Sequence, residues 1–416
     1  MSYGNNVSMS RAQASNSEVV FDPFSDDFFN TPYATYRRMR AEAPVYYNEK
    51  YDFYALTRHA DVAAAMKDTE TFSSSRGIDL EMVQSGNPPP PLIIMMDPPD
   101  HRRMRSLVNK VFTPRAMERQ RAMVVEQVER FLGAVDSAEY PVEFDAVQDF
   151  SALFPVEVIT EILGVPPELR QKVRLLLDKQ LEREYGKVEM PPEGLEAGIE
   201  TGLMYYNIIQ DRRAEPQDDM ISALIAAELD RDGETTKLDD IEIAGFASML
   251  GGAGAETVTK LIGNAVVTFA EHPDQWQALL DDRSKVPAAV EELLRWEAPA
   301  QYLVRYTLKD VELHGTTIPA GNPVLLCIGS ANRDERAFTD ADGFDIDRDR
   351  GEAQNIGLGY GVHSCLGAAL ARMESVIALE KLLDFMPRYE VVEDGLRRVA
   401  MTNVIGWHNV PVRVLP

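Results

Sequence analysis

Cysteine is scarce in this chain. The 416 residues contain only Cys327 and Cys365, which are too few for a disulfide framework. This scarcity is typical of a reducing compartment, and we therefore expect a cytoplasmic protein. Cys327 lies in the apolar, strand-like segment 324–328 and is predicted to belong to the core.

Long apolar runs are also missing, and basic residues are fewer than acidic ones. No run of about 18 apolar residues is present, so no membrane-spanning helix is predicted. The 42 Lys and Arg residues stand against 67 Asp and Glu, which gives a net charge of −25 at pH 7. Such a surface repels phosphate backbones and anionic head groups, so neither nucleic acid nor a membrane is an expected partner.

The chain shows no internal repeat and no linker rich in Pro, Gly or Ser. Residues 1–20 are polar and patternless and are predicted to form a mobile tail, whereas residues 21–416 are predicted to form a single domain. Helical patterns run with few breaks over residues 101–282, and short strand-like segments with turns fill residues 296–364. This arrangement predicts a mainly α architecture with a small β portion, of the α+β class.

Glycines flank Cys365. The loop 358–367 reads LGYGVHSCLG, with Gly361 four residues before the cysteine and Gly367 two residues after it. These glycines let the backbone turn tightly and aim N–H groups at the sulfur, and a helix predicted to follow adds its positive end. Both effects favour the thiolate, which is the metal-binding form. A lone cysteine beside a Gly-rich turn is more often structural, so its interpretation depends on the rest of the chain.

A second motif lies inside a long apolar helix predicted to start after Asp239, with Glu242 in a capping-box position. Residues 251–257 read GGAGAET. Three mid-helix glycines cost about 0.5–1 kcal/mol each relative to Ala, and they serve either close helix packing or the approach of a flat cofactor. Glu256 and Thr257 add an acid and a hydroxyl, and Thr257 can bond back to a carbonyl and open the helix locally.

Two further pairs are weak signals by themselves. Glu292 and Arg295 have i,i+3 spacing, which is common for a surface ion pair worth about 0.2–0.5 kcal/mol. His101 and Arg105 have i,i+4 spacing on a helix predicted after two prolines. For each of these basic residues alone, a solvated surface role is the ordinary interpretation.

The order and spacing of these segments resemble the cytochrome P-450 family over residues 21–416. The cysteine loop is similar to the haem-binding signature F-x-x-G-x-x-x-C-x-G of that family, with matches at Gly361, Cys365 and Gly367. It departs at Leu358, where the family has Phe. The glycine helix is similar to the A/G-G-x-D/E-T motif of the family, and the Glu/Arg pair is similar to its E-x-x-R motif.

The resemblance implies the P-450 fold and haem b as the cofactor, with Cys365 as the iron ligand. It implies that Glu256 and Thr257 manage protons during oxygen activation, and that the cofactor lies against Ala253 and Gly254. The implied partners of the haem propionates are His101, Arg105, Arg305 and His363. The implied buried brace under the haem consists of Glu292 and Arg295, with Arg348 as its third member.

The activity implied by the resemblance is that of a haem-thiolate monooxygenase, which hydroxylates or epoxidises a hydrophobic small molecule with O₂. Its electrons come from a separate ferredoxin and an NAD(P)H-dependent reductase, and we expect a monomer. One alternative is an H₂O₂-driven peroxygenase of the same fold, although such family members replace the acid–alcohol pair that this chain retains. Another alternative is a haem-based sensor without turnover, which has no need of Thr257.

Apolar residues around the implied site predict a lipid-like substrate such as a terpenoid, fatty acyl or steroid compound. These residues are Met82, Leu92, Ile93, Ile94, Met95, Leu303, Val304, Val404 and Ile405. Residues 175–202 hold Gly186, Pro191, Pro192, Gly194 and Gly198 between helical pieces and are predicted to form a lid. A local basic cluster is a candidate docking patch for an acidic ferredoxin. Its members are Arg102, Arg103, Lys110 and Arg115.

Overall fold

The structure is a computed structural model that describes residues 19–109, 112–136, 141–231 and 234–416. The predicted tail lies outside the described residues up to position 18. Within the described ranges, the α-helices are α1 (Asp26–Asn30), α2 (Tyr33–Glu42), α3 (His59–Lys67), α4 (Leu80–Ser85), α5 (Asp100–Val108), α6 (Pro114–Glu118), α7 (Arg121–Val135), α8 (Phe154–Leu163), α9 (Pro167–Leu181), α10 (Pro192–Ala214), α11 (Met220–Ala226), α12 (Asp240–Glu271), α13 (Pro273–Asp281), α14 (Val286–Trp296), α15 (Ile328–Ala331) and α16 (Ala368–Phe385).

The strands are short and form small separate sheets. They are β1 (Val45–Asn48), β2 (Phe53–Leu56), β3 (Phe72–Ser73), β4 (Val142–Asp145), β5 (Glu228–Arg231), β6 (Glu234–Lys237), β7 (Leu303–Thr307), β8 (Val311–Leu313), β9 (Thr316–Ile318), β10 (Pro323–Leu326), β11 (Tyr389–Val391), β12 (Arg397–Arg398), β13 (Trp407–Asn409) and β14 (Pro411–Val414). The largest sheet has the order β1-β2-β10-β7-β3, and β11-β14-β4 form another. The predicted mainly α architecture with a small β portion is therefore confirmed.

The helix α12 crosses the centre of the molecule. Its N-terminus carries the predicted capping box, in which the Asp239 side chain accepts from the Glu242 backbone N–H at 2.8 Å and the Glu242 side chain accepts from the Asp239 N–H at 2.9 Å. Most of its residues are buried, and it packs against α8, α9 and α10. An apolar run with so few polar interruptions can only be stable inside a core.

The described residues form four apolar clusters, and the two largest hold most of these elements together. The larger core collects residues from Ile93 to Val414 and includes the buried face of α12. The second core is aromatic and joins the segment 19–55 to Tyr302 and Ile405. No single helix of the described residues is long and apolar enough to cross a membrane. The bent helix pair Ala146–Leu163 and Pro167–Leu181 is together long and apolar enough, by length and composition only.

A buried ion pair braces the segment that leads into the cysteine loop. Arg295 Nε and Nη2 donate to both carboxylate oxygens of Glu292 at 2.8 and 2.7 Å. Arg295 Nη1 also donates to the carbonyls of Asn332 at 2.8 Å and Ala341 at 2.7 Å. Arg348 Nε lies 3.1 Å from Glu292 Oε1. The planar guanidinium thereby fastens α14 to the irregular chain after α15.

We expect Glu292→Gln to lower the free energy of unfolding by about 3–5 kcal/mol, because it leaves the buried Arg295 without its counter-charge. Chemical denaturation of the protein measures this loss. The matched control is Glu118→Gln, which removes another i,i+3 partner, that of Arg121, at an exposed site. The control should change stability only slightly. Equal effects of the two substitutions would contradict a structural role for the buried pair.

Candidate active site

The cysteine loop has a backbone conformation that requires glycine. Gly359 and Gly361 both have φ of 73°, in the left-handed region. A Cβ placed on Gly361 would lie 2.9 Å from the carbonyl oxygen of Met66, so no larger residue fits there. The Cys365 N–H donates to the carbonyl of Leu358 at 2.7 Å, which closes the loop. Leu358 itself packs against the main core.

Cys365 is an exposed residue, although its thiol is strongly desolvated by the surrounding protein. Desolvation raises the pKa of its thiol, while the Gly367 N–H and the charges of Arg105 and Arg372 lower it by less. The predicted N–H donor is therefore present, but the loop alone does not favour the thiolate, which corrects the expectation from the sequence. A metal cation at the sulfur would favour the thiolate, because the thiolate is the form that ligates a metal.

Four basic side chains converge beside this loop. The His101 and His363 rings lie with centroids 4.3 Å apart. Arg105 Nη1 donates to the carbonyl of Val362 at 3.0 Å, which attaches α5 to the cysteine loop. Arg305 is buried on β7. The buried Nδ1 atom of His101 has no hydrogen-bond partner among the described residues.

The electrostatics of this cluster are unfavourable without an anion. Burial and then the positive charge of Arg305, His101 and Arg105 lower the pKa of His363 to about 3. Burial also lowers the pKa of Arg305 to about 10, and the charge of Asp97 opposes this shift. Asp97 already accepts hydrogen bonds from two serines. Groups arranged in this way fit a ligand that brings its own carboxylates, as haem does.

Ala253 and Thr257 mark the accessible face of α12. Ala253 is exposed although it lies in the middle of the central helix, and Thr257, one turn later, is half-buried. Thr257 Oγ1 donates to the carbonyl of Ala253 at 3.0 Å, which is the predicted back-bond. The helix nevertheless continues without a break from Asp240 to Glu271, so the expected local opening is not observed.

The three mid-helix glycines serve helix packing. A Cβ on Gly251 would meet the hydroxyl of Tyr205 on α10, and one on Gly252 would lie 3.0 Å from Leu177 on α9. A Cβ on Gly254 would lie 2.7 Å from Ile159 on α8. The expectation that Gly254 makes room for the cofactor is therefore corrected, because its missing side chain accommodates a neighbouring helix. Among residues 251–254, Ala253 alone is exposed.

Glu256 is part of a buried ion pair that the sequence analysis missed. Lys260 Nζ lies 2.7 Å from Glu256 Oε1, and both side chains are buried. Burial raises the pKa of Glu256, and Lys260 opposes this shift while Asp178 adds to it. Arg174 Nη1 lies 3.2 Å from Asp178, so two ion pairs meet between α9 and α12. The i,i+4 spacing of Glu256 and Lys260 in an apolar helix was the available signal.

The residues predicted to line the substrate pocket differ in their exposure. Leu92 reaches α12, where a Cβ on Gly245 would lie 2.9 Å from Leu92 Cδ2. Met82, Leu92 and Leu303 are half-buried, and Ile94 is exposed. The remaining predicted lining residues are buried, and they are Ile93, Met95, Val304, Val404 and Ile405. Val304 and Ile405 lie in the aromatic core.

The predicted basic patch is smaller than its sequence suggests. Arg102 and Arg115 are exposed, and Lys110 lies outside the described residues. Arg103 Nη1 lies 3.0 Å from Asp100.

Cys327, in contrast to Cys365, is buried, and its predicted place in the core is therefore confirmed. Burial also raises the pKa of its thiol.

Comparison with known proteins gives one consistent family. The family model described as Cytochrome P450 matches residues 203–390. Putative cytochrome P450 123 of Mycobacterium tuberculosis is 41% identical over 399 residues, covering 95% of this chain and 97% of the relative. Erythromycin C-12 hydroxylase of Saccharopolyspora erythraea is 36% identical over 383 residues, covering 90% and 92%. The crystal structure of CYP109E1 from Bacillus megaterium in complex with testosterone aligns with a TM-score of 0.83 and 32% identity, covering 93% and 98%.

We expect Lys260→Met to lower the free energy of unfolding by about 3–5 kcal/mol near pH 8, because the Glu256 carboxylate stays buried without its cation. The native state then holds a proton on Glu256 more tightly than the unfolded state does. Stability therefore falls as pH rises, and the loss should shrink towards pH 5. Urea unfolding at several pH values measures both effects.

The matched control is the double variant Glu256→Gln/Lys260→Met, which removes both buried charges. It should regain most of the lost stability and show no added pH dependence. If Lys260→Met were as stable as the wild type at high pH, the ion pair would contribute nothing to the fold.

Proposed function

Because this chain belongs to the cytochrome P450 family of haem b monooxygenases, we propose that it oxidises a hydrophobic small molecule with O₂ and takes electrons from a separate ferredoxin and reductase. The observation that carries the proposal is the exposed Cys365 in a glycine-dependent loop beside four basic side chains. When bound, the haem supplies the one-electron chemistry that activates O₂. We also propose one catalytic domain over residues 21–416 and a cytoplasmic location.

The haem would be held from two directions. Cys365 would be the iron ligand, because it is an exposed residue whose sulfur receives an N–H from Gly367. His101, Arg105, Arg305 and His363 bind the propionates. Their mutual repulsion and the unpartnered His101 Nδ1 are relieved by carboxylate oxygens. The buried Glu292–Arg295–Arg348 group keeps the chain before Cys365 in place.

Protons are managed on α12. Thr257 holds a hydroxyl proton beside the exposed Ala253, and turning that proton away from the Ala253 carbonyl makes it available to the accessible face of the helix. Glu256, the preceding residue, is the acid that resupplies it. The ion pair with Lys260 keeps this carboxylate in place and offsets part of its burial cost.

The substrate is proposed to be a lipid-like compound such as a steroid, a terpenoid or a fatty acyl chain. The half-buried Leu92 and Leu303 and the exposed Ile94 are apolar contacts for it. A solved relative holds testosterone, and another relative is named Erythromycin C-12 hydroxylase, which supports a large hydrophobic molecule. The segment 175–202, which spans the end of α9, the loop after it and the first half of α10, is proposed as the lid, with hinge positions at Gly186 and Pro191.

We expect Cys365→Ser to abolish the strongly red-shifted Soret band of the reduced carbon-monoxide complex, because that band requires a thiolate ligand. Cys327→Ser is the matched control and should keep the band, since Cys327 is buried in the aromatic core. Retention of the band in Cys365→Ser, or its loss in Cys327→Ser, would refute the ligand assignment.

Thr257→Ala is expected to bind substrate normally but to yield several-fold less product per NADH and more H₂O₂, because proton supply at that face is lost. Spin-state titration measures binding, and product and peroxide are quantified together. The control is Thr259→Ser, which keeps a buried hydroxyl bonded to the Ser151 carbonyl at 2.8 Å. Unchanged coupling in Thr257→Ala would remove Thr257 from the proton path.

Arg102→Glu is expected to slow the first electron transfer from an acidic ferredoxin by about ten-fold at low salt, with unchanged substrate affinity. Arg102 is exposed on α5. Arg105 on the same helix contacts the cysteine loop. Stopped-flow reduction at increasing salt is the measurement. The control is Arg397→Glu, an exposed arginine on β12. Salt-independent reduction of the wild type would contradict an electrostatic docking patch.

A further inference from the structure

A second cleft is lined by the C-terminal half of α12, the end of α14 and the strands β12 and β13. Its volume is about 360 Å³, and Asn264, Trp296, Arg398 and Trp407 are among its lining residues. We call it the α12–β13 cleft. Its size is at the small end of the range for ligand sites, so it suits a small molecule. The residues proposed above for haem and substrate are not among its lining, and Asn264 lies about 10 Å further along α12 than Thr257.

Positive charge exceeds negative charge inside this cleft. Arg333 Nη2 lies 3.1 Å from Glu297 Oε2, and Arg398 Nη1 lies 3.7 Å from Glu297 Oε1. One buried carboxylate therefore stands between two cations. Glu271 also lines the cleft, but it is exposed, so solvent screens its charge. A chain of net charge −25 thus keeps a local excess of positive charge here, which an anion would balance.

Two buried polar atoms of the cleft have no hydrogen-bond partner among the described residues. The first is Oδ1 of Asn264, a residue that is 1% exposed. Its Nδ2 donates to the carbonyl of Glu297 at 3.2 Å, which fixes the orientation of the amide. The second atom is Nη1 of Arg398. Buried polar atoms are normally satisfied, so a fitting ligand would bring a donor for the amide oxygen and an anionic acceptor for the guanidinium.

Aromatic rings hold both arginines in place. The Arg333 Cζ atom lies 3.4 Å from the ring centroid of Tyr33 and 4.0 Å from that of Trp296. The Arg398 Cζ atom lies 3.8 Å from the ring centroid of Trp407. Such cation–π contacts order the guanidinium groups before any ligand arrives, which lowers the entropic cost of binding. A flat aromatic ligand suits these walls, because rings pack against other rings and against guanidinium planes.

We propose that the α12–β13 cleft binds a small aromatic carboxylate that carries a hydroxyl or N–H donor. The carboxylate pairs with Arg398 Nη1, and the donor bonds to Asn264 Oδ1, so both unpartnered atoms are satisfied. Ordered water can satisfy either atom, but it brings no charge to balance the second arginine. The proposal is independent of the proposed function, since the cleft is separate from the haem site.

Isothermal titration calorimetry of the holoenzyme with 3-hydroxybenzoate and 4-hydroxybenzoate tests the proposal. These acids place the hydroxyl at two separations from the carboxylate, and we expect at least one of them to bind with a Kd below about 1 mM. Benzoate lacks the donor and the matching hydroxybenzamide lacks the charge, so each should bind about ten-fold more weakly. A Kd above that limit for both acids, or equal affinity for the uncharged amide, would overturn the proposal.

Arg398→Gln should weaken binding of the hydroxybenzoate at least ten-fold, because it removes the cation that meets the carboxylate. The matched control is Arg397→Gln, at the exposed neighbour on β12, which should leave the Kd unchanged. The unfolding temperature of both variants shows whether the fold is kept. Wild-type affinity in Arg398→Gln, or a substrate-type spin-state shift of the haem with the same Kd, would assign the acid to another site and refute the proposal.

Asn264→Ala tests the donor contact separately from the charge. This variant should lose the preference for hydroxybenzoate over benzoate, because the acceptor of the hydroxyl is gone, while its affinity for benzoate should change little. Binding of benzoate thereby reports that the cleft is still formed. A preference that persists in Asn264→Ala would contradict the assigned role of the amide oxygen.

Discussion

The buried contact of Arg295 with Glu292 is the interaction on which the site depends. The arginine uses its whole planar fork, with two bonds to the carboxylate and others to the carbonyls of Asn332, Ala341 and Gly343. These carbonyls belong to chain that has no regular partner of its own, so their hydrogen bonds must come from a side chain. The same chain runs on into the loop that presents Cys365. One desolvated ion pair on a helix thus determines where a residue 70 positions later can lie. Its hydrogen bonding has to be this complete, because the desolvation penalty of an imperfect buried pair exceeds the free energy gained from its charge attraction.

Within the described part of the chain, the site around Cys365 also lacks negative charge to balance its basic groups. Four basic groups lie together with little opposing charge, and burial disfavours the ionised form of Cys365. Each of these features is unfavourable for the chain by itself. A group with a cation at its centre and carboxylates at its edge satisfies both of them together, and the binding of that group becomes part of the stability of the fold. The complementarity explains how a chain of strongly acidic composition keeps a small basic interior.

The motifs and their order could be predicted from the sequence, because each is short and local. The capping box of α12, the cysteine loop and the mainly α class followed from spacing and composition. The packing partners could not be predicted, because a periodic pattern indicates that a face is buried without indicating what covers it. Gly254 was therefore assigned to the cofactor, although it lies against Ile159. The buried partner of Glu256 was overlooked for a related reason, since Lys260 appears in the sequence as an ordinary charged residue. The contact between Arg105 and Val362 joins residues 257 positions apart, and only the family resemblance pointed to it.

The glycines of α12 connect the lid to the site. Tyr205 on α10 and Leu177 on α9 reach into the space that side chains at Gly251 and Gly252 would occupy. Leu177 lies inside the proposed lid segment 175–202 and Tyr205 follows it closely, so an outward movement that carries α9 and α10 along would withdraw these two side chains from α12. The withdrawal would open a cavity beside a helix segment that is already weakened by three glycines, and cavities of that kind are costly. The closed arrangement is therefore favoured by packing alone, and a hydrophobic ligand can favour opening only if its own burial compensates for that lost contact.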